Sequence, residues 1–146
     1  MMYPLNSKRH KQKGLAAVEM LIAVPVLMMI LMAITEFGNA FIQYTTLNKM
    51  AQSGVRYATS GVTGTASYDQ IADVDNIKNM VIYGHTGSGT SSLLSGVTTS
   101  HVTVNHSNGH VTITINHDYT PIISGFSSAI NFSVPLDVSA MMRTAP

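Results

Sequence analysis

The sequence predicts an α+β protein in which a long N-terminal membrane-spanning helix continues into an outer domain with a small antiparallel β-sheet. Three features of the 146-residue chain support this prediction. A long apolar run begins at Leu15, apolar residues then recur at helical spacing as far as residue 60, and segments of alternating apolar and polar residues follow residue 100. A chain of this length has room for a membrane anchor and one further domain.

The apolar run predicts a membrane-spanning helix over residues 15–35. Residues 15–34 read LAAVEMLIAVPVLMMILMAI, which is twenty residues with a single charge. At a helical rise of about 1.5 Å per residue they cover about 30 Å, the thickness of a bilayer core. The run is longer than the apolar core of a cleaved secretory signal, so we expect the helix to be retained in the membrane.

The distribution of basic residues predicts the orientation of this helix. Four of the eight Lys and Arg residues precede residue 14, namely Lys8, Arg9, Lys11 and Lys13. The forty residues after the apolar run carry only Lys49 and Arg56. By the positive-inside rule, the N-terminus lies in the cytoplasm and the residues beyond 35 lie outside. We therefore expect a single-pass protein of the inner (cytoplasmic) membrane with an exported C-terminal domain.

Two residues are unusual within a membrane helix. Glu19 places a carboxylate five residues into the span; at the centre of a span a carboxylate costs at least about 2.5 kcal/mol on insertion scales. It either extends back to the cytoplasmic interface or has a partner in the membrane. Pro25 lacks an amide hydrogen and is expected to kink or soften the helix. It is either an ordinary tolerated proline or a place where the helix partly melts when its environment changes.

The helical pattern continues beyond the membrane as an amphipathic extension over residues 36–60. Apolar residues recur at spacings of mostly three and four, which is typical of one helical face. They are Phe37, Phe41, Tyr44, Leu47, Met50, Ala51, Val55 and Ala58. We interpret Gly54, Gly61 and Gly64 as bringing the helix to an end near Ser60. The outer half of this face is expected to pack on the protein's own domain, and the inner half against other helices.

Residues 61–146 are predicted to form the exported α+β domain. A short helix is expected over residues 68–82, where apolar residues repeat at helical spacing: Ile71, Val74, Ile77 and Val81. A strand is expected in NFSVPLDVSAM, with Pro135 at an edge position because proline cannot donate to a β-ladder. The residues on one face of that strand are Phe132, Val134, Leu136, Val138 and Ala140.

A β-hairpin is predicted in HVTVNHSNGHVTITINHDY. Asn108-Gly109 is the favoured residue pair for a two-residue hairpin turn. The register set by this turn places apolar residues opposite apolar ones and polar opposite polar, which supports the pairing. The predicted partners are Val104 with Ile113, Val102 with Ile115, and Thr103 with Thr114.

The composition argues against several classes of function. The formal net charge is +1, so the chain lacks the basic field of a nucleic-acid-binding protein. It has no cysteine, which excludes disulfides and thiolate metal sites. Residues 84–92, GHTGSGTSS, lack the lysine of a phosphate-binding P-loop and are interpreted as a surface loop. No spacing of Ser, His and Asp identifies a catalytic site, so we expect neither enzyme activity nor a cofactor.

Five histidines of the exported domain are the remaining candidates for a metal site: His85, His101, His106, His110 and His117. In the predicted hairpin, His106 and His117 project with the apolar residues, whereas His101 and His110 face the other way. Imidazole alone can bind zinc. Because there is no cysteine and no paired carboxylate nearby, solvated strand histidines without metal are the preferred interpretation. A membrane-tethered metal-binding or hydrolytic domain is the less favoured one.

The junction between the basic segment and the apolar run resembles a type IV prepilin processing site. In KQKGLAAVEM, Gly14 directly precedes the apolar run and Glu19 is the fifth residue after it. The resemblance implies that a prepilin peptidase cuts between Gly14 and Leu15 and removes residues 1–14 as a basic leader. It also implies that Glu19 serves filament assembly by meeting the new N-terminal ammonium of a neighbouring subunit.

A wider stretch, from Gly14 to Ala58, resembles the TadE family of tight-adherence (Flp-type) pilus assembly proteins. The matching features are the AAVE start, the mid-span Pro25, the EFG motif Glu36-Phe37-Gly38 and the RYA motif Arg56-Tyr57-Ala58. Two positions depart from the family pattern. Met20 stands where an aromatic residue commonly follows the glutamate, and Asn39 stands where a basic residue is often found.

The resemblance implies a pilin-like fold and a minor pilin or pseudopilin of a tight-adherence pilus system. Such a protein is inserted in the inner membrane and takes part in pilus assembly and surface adhesion. Its implied partners are other pilins or pseudopilins, a prepilin peptidase, the inner-membrane pilus platform and membrane lipid, with no nucleic acid. The alternative is a permanently anchored assembly or binding factor that keeps its leader and does not enter the filament.

Overall fold

The computed structural model describes residues 9–61, 70–122 and 133–144. Two helices, α1 (Arg9–Ser60) and α2 (Val74–Tyr83), and a short 3-10 helix (Thr99–His101) precede three strands, β1 (Val102–Ser107), β2 (His110–Tyr119) and β3 (Val134–Arg143). The strands form an antiparallel sheet in the order β1-β2-β3. The predicted α+β class, a long N-terminal helix followed by a small antiparallel sheet, is therefore confirmed. The chain divides into two compact units, Met1–Gly38 and Asn39–Pro146.

In the first unit, α1 exposes its apolar side chains. Every residue from Gly14 to Thr35 is exposed. The most apolar 18-residue window of the helix has a mean hydropathy of 2.5 and no buried residue. Apolar surface of this extent is unfavourable in water. A helix this long and this apolar is compatible with membrane anchoring.

In the second unit, the outer part of α1 packs with α2 and the sheet around a shared hydrophobic core. Each fully buried Leu, Ile or Val contributes about 1.5–3 kcal/mol to folding. The core residues of α1 are Leu47, Met50, Ala51, Val55 and Ala58, those of α2 are Ile77, Val81 and Ile82, and those of the sheet are Val102, Val111, Ile113, Ile115 and Val138. The expectation that the outer half of the apolar face of α1 packs on its own domain is confirmed for these residues.

The inner part of the same apolar face is left uncovered. Phe37, Phe41 and Tyr44 are 80%, 67% and 43% exposed, whereas Leu47 is fully buried. The apolar stripe predicted from the sequence therefore extends well beyond the residues that form the core of the second unit.

Gly54 has a different role from the one predicted. It lies inside α1 rather than at its end, on the buried face of the helix. A Cβ atom at this position would overlap the Cγ2 methyl of Val81 and come within 2.9 Å of Cδ1 of Ile113. The glycine thus allows α1 to approach both α2 and the sheet closely, and the prediction that it helps to end the helix is wrong. The helix does end at Ser60, where the Gly61 amide donates to the Tyr57 carbonyl at 2.7 Å.

Helix α2 begins later than predicted because Asp73 caps it. Oδ1 of Asp73 accepts hydrogen bonds from the amides of Asp75 and Asn76, both at 3.1 Å. Gln70 to Asp73 are not helical, so the predicted start at residue 68 is wrong, and residues 68 and 69 lie outside the described residues. Gly84 ends the helix in a left-handed conformation (φ 77°) with its amide donating to the Met80 carbonyl.

Removing the Asp73 cap is expected to destabilise the outer domain. Asp73→Ala leaves two amides of the first turn without an acceptor, which lowers the free energy of unfolding by about 1 kcal/mol. Asp75→Ala is the matched control, because it removes a neighbouring exposed carboxylate and keeps the cap. Urea unfolding of the full chain in detergent micelles measures both. If the two substitutions lowered the free energy of unfolding equally, the capping hydrogen bonds would contribute nothing to stability beyond the negative charge of the side chain.

The predicted hairpin is confirmed in both turn and register. Asn108 and Gly109 have positive φ values of 52° and 70°, as a type I′ turn requires. The observed pairs include Val104 with Ile113, Val102 with Ile115, and Thr103 with Thr114. The side chains of Val111, Ile113 and Ile115 point into the core.

The predicted last strand is also confirmed where it is described. Strand β3 pairs with β2 and forms one edge of the sheet, and Pro135 lies near its start opposite Asp118. Val138 is buried, and Leu136 and Ala140 pack partly against the core. Phe132, which the sequence assigns to the same face, lies outside the described residues.

Candidate functional site

The predicted processing site lies near the start of α1. Gly14 is exposed, and a Cβ atom placed on it would meet no atom within 4 Å. Leu15 is 73% exposed. The Gly14–Leu15 peptide bond is therefore uncovered by the described part of the chain. It is also helical, because α1 begins at Arg9.

Glu19 is an uncompensated carboxylate on this helix. Its side chain is exposed and forms no hydrogen bond or ion pair with the residues that the structure describes. Leu15 and Ala23, one turn away on either side, are not charged. Leu15 and Glu19 thus share one face of α1. Any group that neutralises Glu19 within the apolar segment must come from outside residues 14–61, 70–122 and 133–144 of the same chain.

Pro25 lies in the middle of the exposed apolar segment, and α1 continues through it. Because proline has no amide hydrogen, the carbonyl of Leu21 receives no α-helical hydrogen bond at this turn. The kink or softening expected at Pro25 stays a prediction.

The EFG motif lies at the far end of the apolar segment, and packing within the protein does not account for two of its three residues. Glu36 is half-buried. Phe37 is 80% exposed, and a Cβ atom at Gly38 would meet nothing within 4 Å. The aromatic ring and the glycine are therefore available to partners or lipid as far as the described residues are concerned.

The RYA motif contributes to the second unit. Ala58 is fully buried in the core, and Tyr57 packs partly against it. Arg56 is exposed on the opposite face. The processing site, the EFG motif and the RYA motif thus occupy successive positions along α1 and do not converge on one point.

The exposed face of α1 in the second unit borders an open depression of about 440 Å³. Two cations, Lys49 and Arg56, lie among hydroxyl and amide groups there. The lining residues are Lys49, Gln52, Ser53, Arg56, Tyr57, Ser60 and Met80. These residues are typical of the solvated face of an amphipathic helix.

The histidines are arranged partly as predicted. His106 and His117 project from the core-facing side of the hairpin, and His110 from the other side, where its Nδ1 lies 2.9 Å from the Asn108 carbonyl. The prediction for His101 is wrong. It precedes β1 in the 3-10 helix, and its ring lies edge-on to that of His117 with centroids 6.5 Å apart. The hairpin register alone could not show this approach, because it depends on how the chain enters β1.

The pKa of one ring in the His101–His117 contact is shifted. Burial, and then the neighbouring imidazole of His101, lower the pKa of His117 below its usual value. The carboxylate of Asp118 partly opposes this shift. Within the described residues, no three His, Asp or Glu side chains are grouped so that they could hold a metal ion.

The part of the chain that matches a known protein family contains most of the predicted site residues. A family model described as TadE-like protein matches residues 14–56. The chain is TadE-like over this segment. The resemblance seen in the sequence motifs is thus confirmed, and it associates the protein with tight-adherence pilus machinery in general. No curated protein and no solved structure matches the chain.

The TadE-like segment begins at Gly14 and ends at Arg56. It therefore includes Glu19, Pro25 and the EFG motif, whereas Tyr57 and Ala58 lie just beyond it. In structural terms it consists of the exposed apolar part of α1 and the part that enters the core of the second unit. Gly54 lies inside this segment, and its packing role was indicated in the sequence by its spacing from Leu47, Ala51 and Ala58 on the apolar face.

Proposed function

We propose that the protein is a minor pilin or pseudopilin of a tight-adherence pilus system. In this role α1 inserts in the inner membrane with the N-terminus in the cytoplasm, and the second unit is exported. The protein then takes part in pilus assembly and surface adhesion through contacts with partner subunits, without enzymatic chemistry of its own. The observation that carries this proposal is the uncompensated Glu19 five residues after Gly14, at the start of the TadE-like segment.

The charge of Glu19 supports a role in subunit pairing. A carboxylate in an apolar span is costly, at least about 2.5 kcal/mol at the centre of the span, and no described group of the same chain offsets the cost for Glu19. Cleavage between Gly14 and Leu15 creates an ammonium group at the membrane edge. Between two staggered helices, this ammonium can reach the carboxylate of a neighbour, and pairing removes two unfavourable charges at once.

The properties of Gly14 support processing at this bond. A peptidase needs an extended substrate, so the start of α1 must unwind locally before cleavage. Glycine destabilises a helix by about 1 kcal/mol relative to alanine, which makes unwinding easier at this position. Within the described residues, a Cβ atom added at Gly14 would also meet no packed neighbour within 4 Å, which leaves the bond accessible.

The proposed partners follow from this role. They are other pilins or pseudopilins, a prepilin peptidase, the inner-membrane pilus platform and membrane lipid. The exposed stripe formed by Phe37, Phe41 and Tyr44 offers apolar surface to such partners. The alternative role is a permanently anchored assembly factor, in which the leader remains attached and Glu19 pairs with another membrane protein or extends to the interface.

The intact mass of the protein purified from membranes of its own cells tests the proposal. We expect the wild-type chain to lack residues 1–14 and Gly14→Ala to keep them, because the added methyl group both blocks the small-residue position and favours the helix. Gly38→Ala is the matched control, since Gly38 is another open glycine of α1 and should be processed normally. A full-length mass for the wild type would reject the pilin role and favour the anchored assembly factor.

A further inference from the structure

The 3-10 helix Thr99–His101 closes with a reciprocal pair of hydrogen bonds. The amide of His101 donates to the carbonyl of Thr98 at 3.0 Å. In return, the amide of Thr98 donates to Nδ1 of the His101 ring, also at 3.0 Å. The hydroxyl of Thr98 lies 3.1 Å from the same nitrogen and 2.8 Å from the hydroxyl of Ser100. The ring thus holds the turn that leads into β1.

This arrangement requires one protonation state of His101. A backbone amide can only donate, so Nδ1 must carry a lone pair, and the neutral ring must have its hydrogen on Nε2. When the ring gains a second proton, Nδ1 becomes a donor and the bond from Thr98 is lost. The hydrogen bond that closes the turn is therefore available only to the neutral imidazole.

The second ring places a further penalty on protonation. His117 projects from the core-facing side of β2 and is half-buried beneath Gly96, where an added Cβ would lie 3.5 Å from its Cε1 atom. Its ring meets that of His101 at an interplanar angle of 78° with centroids 6.5 Å apart. A charge on either ring would face the other across a partly buried contact, where repulsion is screened less than at an open surface.

Few other charges act on this contact within the described residues. Asp118, next to His117 on β2, favours the protonated form of that ring and partly opposes the repulsion. Helix α2, which also packs on the 3-10 helix, carries Asp75 and Lys78, whereas the causes of the lowered pKa of His117 are burial and His101, opposed by Asp118. The electrostatic interactions at this contact are therefore mainly those among the two imidazoles and the carboxylate of Asp118.

We propose that Thr98, His101 and His117 form an acid-sensitive latch that holds the end of the loop over residues 84–98 against the sheet at neutral pH and releases it in mildly acidic solution. Other contacts of this loop involve neither His101 nor His117. The Leu93 amide donates to the Ile82 carbonyl at 2.8 Å, and Val97 is buried in the core. Acid therefore loosens the turn at Thr98–His101 first and leaves the hairpin paired, which changes the surface that the exported domain presents.

The sign of the pH effect follows from the two states of His117. In the unfolded chain this histidine gains its proton near its usual value of about 6.5. In the folded chain burial and His101 keep its pKa lower, so the unfolded chain binds more protons. The stabilisation present above pH about 6.5 is consequently lost as the pH falls through the range between the two pKa values.

Amide exchange and histidine NMR on the full chain in detergent micelles test the latch. At pH 7.5 we expect ¹⁵N-labelled His101 to show the tautomer with hydrogen on Nε2. Between pH 7.5 and pH 5.0, after correction for the intrinsic exchange rates, protection of the amides from Thr98 to Val102 should fall about tenfold, the effect of losing one hydrogen bond and adding one repulsion. The hairpin amides should keep their protection.

Two variants separate the latch from a general effect of acid. His101→Asn supplies a side-chain oxygen that can accept from the Thr98 amide but does not titrate, so protection should change less than about twofold between the two pH values. His85→Asn, at an exposed histidine of the same loop, should behave as the wild type. Protection that is independent of pH in the wild type, or an equal acid-induced loss in His101→Asn, would overturn the latch. If the turn amides of His101→Asn lack protection even at pH 7.5, the NMR spectrum of wild-type His101 provides the test instead. A hydrogen on Nδ1 of His101 at pH 7.5 would then reject the proposal.

Discussion

Replacing Gly54 by alanine is expected to lower the free energy of unfolding of the outer domain by about 1–3 kcal/mol, the usual effect of overpacking a core. The new Cβ would overlap Cγ2 of Val81, a stiff β-branched side chain with no exposed surface. It would also press on Cδ1 of Ile113, so α1 must move away from both α2 and the sheet. Alanine favours a helix over glycine by about 1 kcal/mol, and the overlap outweighs this gain.

The measurement is urea or thermal unfolding of the full chain in detergent micelles. The chain has no tryptophan, so tyrosine fluorescence can report on the outer domain through Tyr57 and Tyr119, which pack in the second unit. Gly54→Val should be more harmful than Gly54→Ala because it adds two further methyl groups. Gly38→Ala is the control: without an overlap, the helix preference of alanine should leave the stability unchanged or raise it by up to about 1 kcal/mol. Unchanged stability of Gly54→Ala would show that the close approach of α1 is not required.

Removing the carboxylate of Glu19 is expected to abolish assembly while leaving insertion in the membrane intact. Glu19→Ala eliminates the cost of inserting a carboxylate in the apolar span, so the level of protein in the membrane should stay the same or rise. In the proposed assembly it would leave the N-terminal ammonium of a neighbour unpaired, and breaking a buried ion pair costs about 3–5 kcal/mol. We therefore expect incorporation into pili to fall by about a hundredfold or more.

Incorporation is measured by quantifying the protein in sheared pilus fractions and in membranes from the same cells. Glu19→Gln keeps the size of the side chain and removes only its charge, so it should fail in the same way. Met20→Ala changes the adjacent exposed residue without altering charge and serves as the matched control. If Glu19→Ala and Glu19→Gln entered pili at the wild-type level, Glu19 would have no part in subunit pairing.

Much of this fold could be predicted from local patterns. The apolar run and its helical continuation indicated α1 and its end near Ser60, because a 3.6-residue period is a property of neighbouring residues. The hairpin register followed from Asn108-Gly109, since a two-residue turn determines which residues face each other. The family motifs around Gly14, Glu19 and the EFG triplet could be recognised for the same reason, because each is short and all lie along one helix.

The start of α2 was missed because the capping chemistry of Asp73 competed with a longer apolar repeat. Ile71 and Val74 continued the helical spacing, so the repeat suggested an earlier start. The side chain of Asp73 instead accepts the first amides of the helix, and such a hydrogen bond stabilises a boundary at that residue. The signal was present in the sequence as an Asp followed by a second acidic residue in the first turn.

By itself, the sequence determined the long apolar helix, its charged residue, the hairpin and the TadE-like character of residues 14–56. Only the tertiary structure decided that Gly54 lets α1 approach Val81 and Ile113 closely, and that His101 meets His117. The physical reason is the range of the interactions. Periodicity and turn preference act between residues a few positions apart, whereas these contacts join residues 16 to 59 positions apart and exist only after the helices and sheet have packed.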